Sequence, residues 1–257
     1  MKIAVLIKGV PDTTSIMEVS EDGRSVMTSE LKIVTNPFDE YALEEAVRIR
    51  EKRGGEVRAI SLGGDELSEI LRVALAGGAD NATLIEGPSF DMSERGISIA
   101  LAQYLEEWEP DLILAGLQAI DLVGTQVPAR IAELMGISHA SSVIKTELSD
   151  DKLRVTRDLE GERLICDLEY PALITVQKGI NTPRYPTVPD VLKARKKEIT
   201  RITVEEMGLD EEKLKTGLVV ESMVVFNPSR KRKVLEGDLT SQIKTLVTAF
   251  TEEEHLF

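Results

Sequence analysis

Residues 112–136 read LILAGLQAIDLVGTQVPARIAELMG and predict a strand, a loop and a helix in direct succession. The first four of these residues form a short apolar run of the kind found in buried strands. The apolar residues of the last part share one face of a helix that ends at a glycine: Val127, Ile131, Leu134 and Met135. A strand that passes through a glycine-containing loop into a helix is the repeating unit of parallel α/β sheets.

The same alternation extends over the first 135 residues. Further apolar runs typical of buried strands cover residues 3–7, 59–62 and 83–85, with amphipathic segments between them. One helix is expected to start after Asn36, which would cap it, with Pro37 in the first helical position and Asp39 placed for a reciprocal cap. We therefore predict an α/β fold with a doubly wound, mostly parallel, Rossmann-like sheet.

The pattern changes after residue 140. Three predicted strands separated by turn clusters suggest an added antiparallel meander, at residues 143–148, 153–157 and 163–168. Residues 172–176 return to a buried strand, and a short basic helix is predicted over 191–197. Residues 198–257 are poor in core residues and end in a helix near 239–254. The predicted organisation is an α/β domain over 1–197 and a C-terminal arm over 198–257 that lies on another surface, such as that of a partner.

Composition excludes several classes of function. Asp and Glu outnumber Lys and Arg by 45 to 31, and the resulting charge of −14 opposes binding to nucleic acid. One cysteine and two histidines are too few for a disulfide, a thiolate-rich zinc or iron–sulfur site, or a histidine-rich metal centre. The chain opens directly on a predicted strand and contains no apolar run long enough for a membrane helix. We expect a cytoplasmic protein without a metal.

No residue is predicted to be catalytic. The dinucleotide fingerprint G-x-G-x-x-G and the P-loop pattern are absent from the sequence. His139 has no serine and aspartate in a recognisable frame, and Cys166 has no adjacent base, so we interpret both as structural. The composition of the predicted loops is typical of a nucleotide or cofactor binder with no acid–base machinery of its own.

The loop after residue 115 is the first candidate for a ligand site. Its free backbone N–H groups and the Thr125 hydroxyl would lie at the positive end of a helix dipole, which suits a phosphate without any Lys or Arg. An ordinary strand–helix loop with Thr125 as a plain cap is the alternative. A basic stretch over 193–197 is likewise either a solvated helix end or a docking site for an acidic partner.

Four motifs together resemble the β subunit of electron-transfer flavoproteins, the family that includes the FixA proteins. They are residues 5–13, residues 36–46, residues 75–80 with 111–121, and residues 181–189 with 193–197. They occur in the family's order and spacing and cover nearly the whole chain.

This resemblance implies an electron carrier with an adenine-nucleotide-binding α/β fold. It implies a heterodimer with a larger α subunit that holds the main FAD, and a β subunit that holds either AMP or a second FAD. The complex would carry electrons between partner dehydrogenases and an acceptor, such as a membrane quinone reductase complex. With a second flavin it would be part of an electron-bifurcating oxidoreductase. An AMP-holding structural and docking subunit, or a non-redox regulatory module that binds an adenine nucleotide, are the alternative functions.

The family's nucleotide pocket can be carried over by motif. The loop N–H groups would take phosphate oxygens, and the segments around two leucines would flank the adenine. The cofactor-binding residues implied are Leu6, Asn36, Pro37, Phe38, Asp39, Leu62, Gly116, Leu117, Gln118, Ala119, Ile120, Asp121, Leu122, Val123, Gly124, Thr125, Gln126 and Val127.

Residues 10–13, 41–44 and 126–127 are similar to the bifurcating and FixA-type members, which favours FAD in this subunit. Those members typically carry a second aspartate where this chain has Val123, so AMP stays open.

The family's recognition loop implies a docking site for a partner dehydrogenase at Thr187, Val188, Pro189 and Lys193. Val188 would be the apolar anchor in a partner's pocket, with charges at the rim. Alternatively, Val188 only packs against the helix that follows.

Overall fold

The structure, a computed structural model, describes residues 1–27, 31–87, 92–215, 219–226, 232 and 234–253. Its strands are β1 (Lys2–Leu6), β2 (Gly9–Pro11), β3 (Ile33–Thr35), β4 (Glu56–Gly63), β5 (Asn81–Glu86), β6 (Leu112–Gly116), β7 (Ser138–Leu148), β8 (Lys152–Leu159), β9 (Glu162–Glu169), β10 (Ala172–Val176) and β11 (Thr200–Thr203). Its helices are α1 (Pro37–Arg53), α2 (Leu67–Ala76), α3 (Glu94–Trp108), α4 (Gln126–Met135), α5 (Val188–Lys196), α6 (Glu211–Leu214) and α7 (Leu239–Thr248).

Nine strands form one sheet in the order β11-β5-β4-β1-β6-β10-β7-β8-β9. The strands from β11 to β7 are parallel, and β8 and β9 extend the sheet as an antiparallel meander. After β1 the chain places β4 on one side and β6 on the other, so the topology reverses between β1 and β6. The predicted fold class, including the added meander, is confirmed.

Both faces of the sheet are buried, and the side chains of each central strand alternate between them. Ile3 and Val5 of β1 pack with α1 and α2, whereas Ala4 and Leu6 pack with α3 and α4. Strands inside such a sheet are apolar throughout because successive side chains point to opposite faces, and both faces are covered by helices. The carboxyl ends of β1, β4 and β6 therefore meet at one edge, between two helical layers.

Several boundaries differ from the predicted ones. Helix α5 begins at Val188 and not at 191, because Thr187 and Asp190 form a reciprocal capping box and Pro189 fits the first turn. The meander strands are longer than predicted. The last helix ends at Thr248 and continues as a π-helical turn over Ala249–Glu253, whereas residue 254 lies outside the described residues. The short pair β2 and β3 was not predicted.

The segment predicted as an arm begins inside the sheet. Strand β11 pairs in parallel with β5, and Val204 and Leu214 are buried. Among the described residues from 219 onward, most apolar side chains are exposed, Phe226 to 83% of its surface. The packing of this segment on a partner subunit stays a prediction. Among the described helices, none combines the length and the apolar character needed to cross a membrane.

Candidate functional site

Asp39, in the first turn of α1, joins the ends of two central strands. One carboxylate oxygen, Oδ1, accepts the backbone N–H of Gly116 at 3.0 Å and the side-chain amide of Asn36 at 3.0 Å. The other, Oδ2, accepts the backbone N–H of Lys8 at 2.8 Å. The side chain is only 5% exposed. Because Lys8 follows β1 and Gly116 ends β6, this carboxylate fixes both sides of the topological switch to α1.

Burial raises the pKa of Asp39 to about 7, although the amides of Lys8 and Gly116 and the side chain of Asn36 favour the ionised form. These hydrogen bonds reduce the free-energy cost of burying an ionised carboxylate, but they do not cancel that cost. Through its bonds to Lys8 and Gly116, the carboxyl group of Asp39 holds the ends of β1 and β6 in position.

Asn36 holds the loop that follows β6. Its side-chain amide donates to the carbonyl oxygen of Gln118 at 2.9 Å, and its Oδ1 accepts the N–H of Ile120 at 3.3 Å. Asn36 is 1% exposed. The prediction that Asn36 and Asp39 cap α1 reciprocally is wrong in its bonding, because neither side chain accepts a helix N–H or the N-cap N–H. Both are used across the sheet edge, where they satisfy buried groups that no local cap could reach.

Position 116 has no room for a side chain. A Cβ atom there would collide with Oδ1 of Asp39 and would lie 2.6 Å from the Cβ of Phe38. The close approach lets α1 reach the strand end. Gly116, Phe38 and Asp39 thus form one packed corner of the site.

The loop from 117 to 125 is held in an unusual conformation. Val123 and Thr125 have φ of 55° and 54°, in the left-handed region that β-branched residues rarely adopt. Leu117 donates its N–H to Val176 and Val123 donates to Ala119, at 3.0 and 2.9 Å. Lys8 donates to the Asp121 carboxylate at 2.6 Å. These bonds, with those from Asn36, explain how the strained loop is maintained.

The end of the loop presents a row of backbone donors. Within the described part of the chain, the N–H groups of Gly124, Thr125, Gln126 and Val127 find no acceptor. Thr125 occupies the position before α4 without making a side-chain cap, so the alternative of a plain threonine cap does not describe this loop. These free donors lie at the N-terminal end of α4, which is the positive end of its helix dipole.

Leu6 and Leu62 provide an apolar wall beside the donors. Both lie on the face of the sheet that packs against α3 and α4, and Val127 joins the same cluster. Leu6 is buried and Leu62 is half-buried. The structure therefore brings Leu6, Leu62, residues 36–39 and residues 116–127 to one edge. An apolar wall next to free N–H donors can hold a flat heterocycle and a phosphate group.

Two contributors to this edge were missed by sequence reasoning. Lys8 supplies a backbone donor to Asp39 and an ammonium group to Asp121. Glu94, the first residue of α3, packs its carboxyl group against Gly124. Lys8 lies in a motif that was recognised, so its position just beyond a strand end was a usable signal. Nothing in the sequence near Glu94 indicates its contact with a loop about 30 residues later.

The predicted docking residues form a separate surface on α5, which packs against α2. Thr187 caps the helix, Val188 is 74% exposed, and Pro189 and Lys193 are also exposed. Arg72 donates to the carbonyls of Ala194 and Arg195 at the end of α5, at 3.2 and 3.3 Å. The helix is thus anchored while its first turn faces outward.

His139 and Cys166 lie away from the row of free donors. His139 is half-buried in β7, where burial and the Arg157 guanidinium lower its pKa, and its Nε2 has no partner among the described residues. Cys166 is an unpaired thiol on β9. In the described segments, no group of three or more His, Cys, Asp or Glu side chains could hold a metal ion.

Comparison with known proteins gives a consistent result. The family model described as "Electron transfer flavoprotein domain" matches residues 25–207. A protein named electron transfer flavoprotein subunit beta from Bacillus subtilis (strain 168) is 37% identical over 257 residues, covering 98% of each chain. Proteins of the same name from Thermoanaerobacterium thermosaccharolyticum and Homo sapiens are 35% identical, over 96% and 82% of this chain and 96% and 84% of their own lengths.

The matched region includes α1, the ends of β4 and β6 and the loop of the candidate site. The chain belongs to the electron transfer flavoprotein family, with the β subunits as its relatives.

Proposed function

We propose that this chain is the β subunit of a heterodimeric electron transfer flavoprotein. With an α subunit it carries electrons between dehydrogenases and an acceptor through bound FAD. Family membership supports the redox role and the partner. The observation that carries the proposal for this subunit is the row of free N–H donors at residues 124–127, beside the switch between β1 and β6.

The proposed ligand of this edge is an adenine nucleotide. Leu6 and Leu62 would contact the adenine, and the amides of residues 124–127 would receive phosphate oxygens. The loop would be held in place by the hydrogen bonds that join Asn36, Asp39 and Gly116. FAD, when bound, supplies one- and two-electron chemistry, and the residues of this chain bind and orient it and exclude water.

We favour FAD as this nucleotide. The αβ complex would then hold two flavins, and electron bifurcation could be tested. AMP is the competing occupant, and one feature favours it: Val123 stands where bifurcating members have an aspartate. With AMP, this subunit would be structural and all redox chemistry would belong to the α subunit.

The exposed first turn of α5 is the proposed docking site for a dehydrogenase. Val188 projects from a helix whose last turn carries Lys193, Arg195 and Lys196. An apolar anchor near cationic groups suits a partner pocket with an acidic rim. We propose a cytoplasmic location and, among acceptors, a membrane quinone reductase complex.

The test is the nucleotide content of the co-expressed αβ complex. Nucleotides released by denaturation are identified by mass and counted per αβ pair. Two FAD and no AMP support a flavin at this edge, and one FAD with one AMP makes this subunit a structural and docking element. A complex without flavin contradicts the electron-carrier proposal and favours a regulatory module.

A further inference from the structure

Glu94 places a carboxylate against the loop that carries the free donors. It is the first residue of α3, whose start is fixed by Ser93, which accepts the N–H of Gly96 at 3.0 Å. A Cβ atom at Gly124 would overlap Oε1 of Glu94 and lie 2.7 Å from its Cδ. The carboxyl group of Glu94 therefore fills the space that a side chain at position 124 would take.

The position of Glu94 is tied to α4 as well as to its own helix. The hydroxyl of Ser98 donates to the carbonyl oxygen of Glu94 at 2.6 Å and contacts that of Val127 at 3.5 Å. Ser98 is fully buried between the two helices. Because these contacts join α3 to the first turn of α4, the carboxylate stays beside the amides of residues 124–127.

No cation in the described part of the chain forms an ion pair with the Glu94 carboxylate. Residues 116–127 contain no Lys or Arg. Lys8 is paired with Asp121 at 2.6 Å. The guanidinium of Arg130 donates to the side-chain oxygen of Gln126 at 2.7 Å and, because an amide is neutral, stays a cation beside the first turn of α4. A phosphate bound here would meet the positive end of a helix, the Arg130 guanidinium and the negative charge of Glu94.

We propose that Glu94 makes this edge discriminate between nucleotides by their phosphate charge. The inference rests on the proposed nucleotide site and adds its specificity. A nucleoside monophosphate, or a dinucleotide whose pyrophosphate is a diester, meets the least repulsion from Glu94. Each further terminal phosphate adds negative charge within reach of that carboxylate, so nucleoside diphosphates and triphosphates bind more weakly than a monophosphate.

The test is a competition for the intact αβ complex. Purified wild-type and Glu94→Gln complexes are incubated with an equimolar mixture of AMP, ADP and ATP, desalted, and the retained nucleotides are counted by mass. We expect Glu94→Gln to raise the retained ATP-to-AMP ratio about fivefold to tenfold, the effect of one unit charge at close range when water screens the interaction. Glu107→Gln, an exposed charge further along α3, should leave the ratio unchanged.

Two further arms separate charge from damage to the fold. Glu94→Asp keeps the charge and should keep the wild-type ratio. Raising the ionic strength should increase the ATP-to-AMP ratio in the wild type but not in Glu94→Gln. A Glu94→Gln complex that takes up no more ADP or ATP relative to AMP than the wild type overturns the proposal. Absence of every adenine nucleotide and of FAD at this subunit in all complexes contradicts the nucleotide site itself.

Discussion

Asp39 is the residue on which the geometry of the site depends most. It accepts N–H groups from Lys8, Asn36 and Gly116, which belong to three separate parts of the sheet edge. In Asp39→Asn, one carboxylate oxygen becomes an NH₂ group that must face a donor. We expect the free energy of unfolding to fall by about 1–3 kcal/mol, as for other buried donors left unpaired, and the nucleotide of this subunit to be lost.

Urea unfolding and nucleotide counting at about pH 6 measure both effects. Asp151→Asn is the matched control, because Asp151 lies exposed at the turn between β7 and β8. Equal stability and equal nucleotide content in wild type and Asp39→Asn would mean that the carboxyl group of Asp39 does not hold the site.

The raised pKa of Asp39 predicts a pH dependence with a definite sign. Its pKa is 3.8 when unfolded and about 7 in the fold. The stabilising contribution is therefore complete below the unfolded value and is lost as the pH rises through about 7. The stability advantage of the wild type over Asp39→Asn should narrow between about pH 4 and pH 8. Urea titrations of both proteins over that range test this, and an advantage that grows with pH contradicts it.

The residues of this site show what a single sequence can reveal. The residue types at 36–39 correctly predict where α1 starts. The capping rule then misassigns their bonds, because the true partners, Lys8 and Gly116, are 31 and 77 residues from Asp39. Local propensity holds no information about such contacts. The glycine-containing loop could be recognised by its pattern, whereas the Glu94 carboxylate beside it could not.

At the scale of elements, α1 also anchors the segment that leads into α5. Glu44 on α1 is 4% exposed and accepts Nε of Arg184 at 2.8 Å and Nε of Arg48 at 2.6 Å. Arg184 also pairs with Glu51 at 2.7 Å. Arg184→Gln removes one of the two cations that pair with this buried carboxylate and leaves Arg48 as the other. We expect Arg184→Gln to lower the free energy of unfolding by about 2–4 kcal/mol.

Arg154→Gln is the control for that substitution, since the pair of Arg154 with Asp167 is exposed and worth about 0–1 kcal/mol. Urea unfolding distinguishes the two variants, and equal losses would show that the burial of Glu44 is unimportant.

Glu44 also predicts an acid sensitivity. Burial alone would raise its pKa, but the Arg184 and Arg48 guanidiniums hold it below the unfolded value of 4.5. The stabilising contribution is present above that value and is lost as the pH falls further. Arg184→Gln should therefore lose less stability than the wild type when the pH drops from about 5 to about 3. Thermal unfolding at both pH values measures this, and parallel losses contradict the role given to Glu44.

The predicted elements were most accurate where periodicity is strong. The central strands and α1 to α4 follow apolar patterns that a parallel sheet covered on both faces buries, so the fold class follows from the sequence. The strand β11 was missed because a four-residue strand, Thr200–Thr203, that joins an edge shows no clear alternation.

At the scale of the whole molecule, the two proposed functions lie on separate surfaces. The candidate nucleotide edge lies where β1, β4 and β6 end, and the proposed docking turn lies on α5 beside α2. Val188→Asp should therefore raise the KM for a partner dehydrogenase at least tenfold, as for an apolar anchor lost from an interface, and leave the nucleotide content unchanged. Val73→Asp is the control, an exposed valine on α2. Steady-state reduction of the αβ complex by its dehydrogenase gives KM and kcat, and an unchanged KM for Val188→Asp contradicts the docking site.

The central claim is that an adenine nucleotide lies at the switch between β1 and β6. An experimental structure of the αβ complex, purified without added nucleotide, tests it most directly. We predict an adenine between Leu6 and Leu62 and phosphate oxygens within hydrogen-bonding distance of the amides of residues 124–127. A structure in which these amides bind water or protein atoms, with the nucleotide elsewhere on this subunit, would contradict the claim.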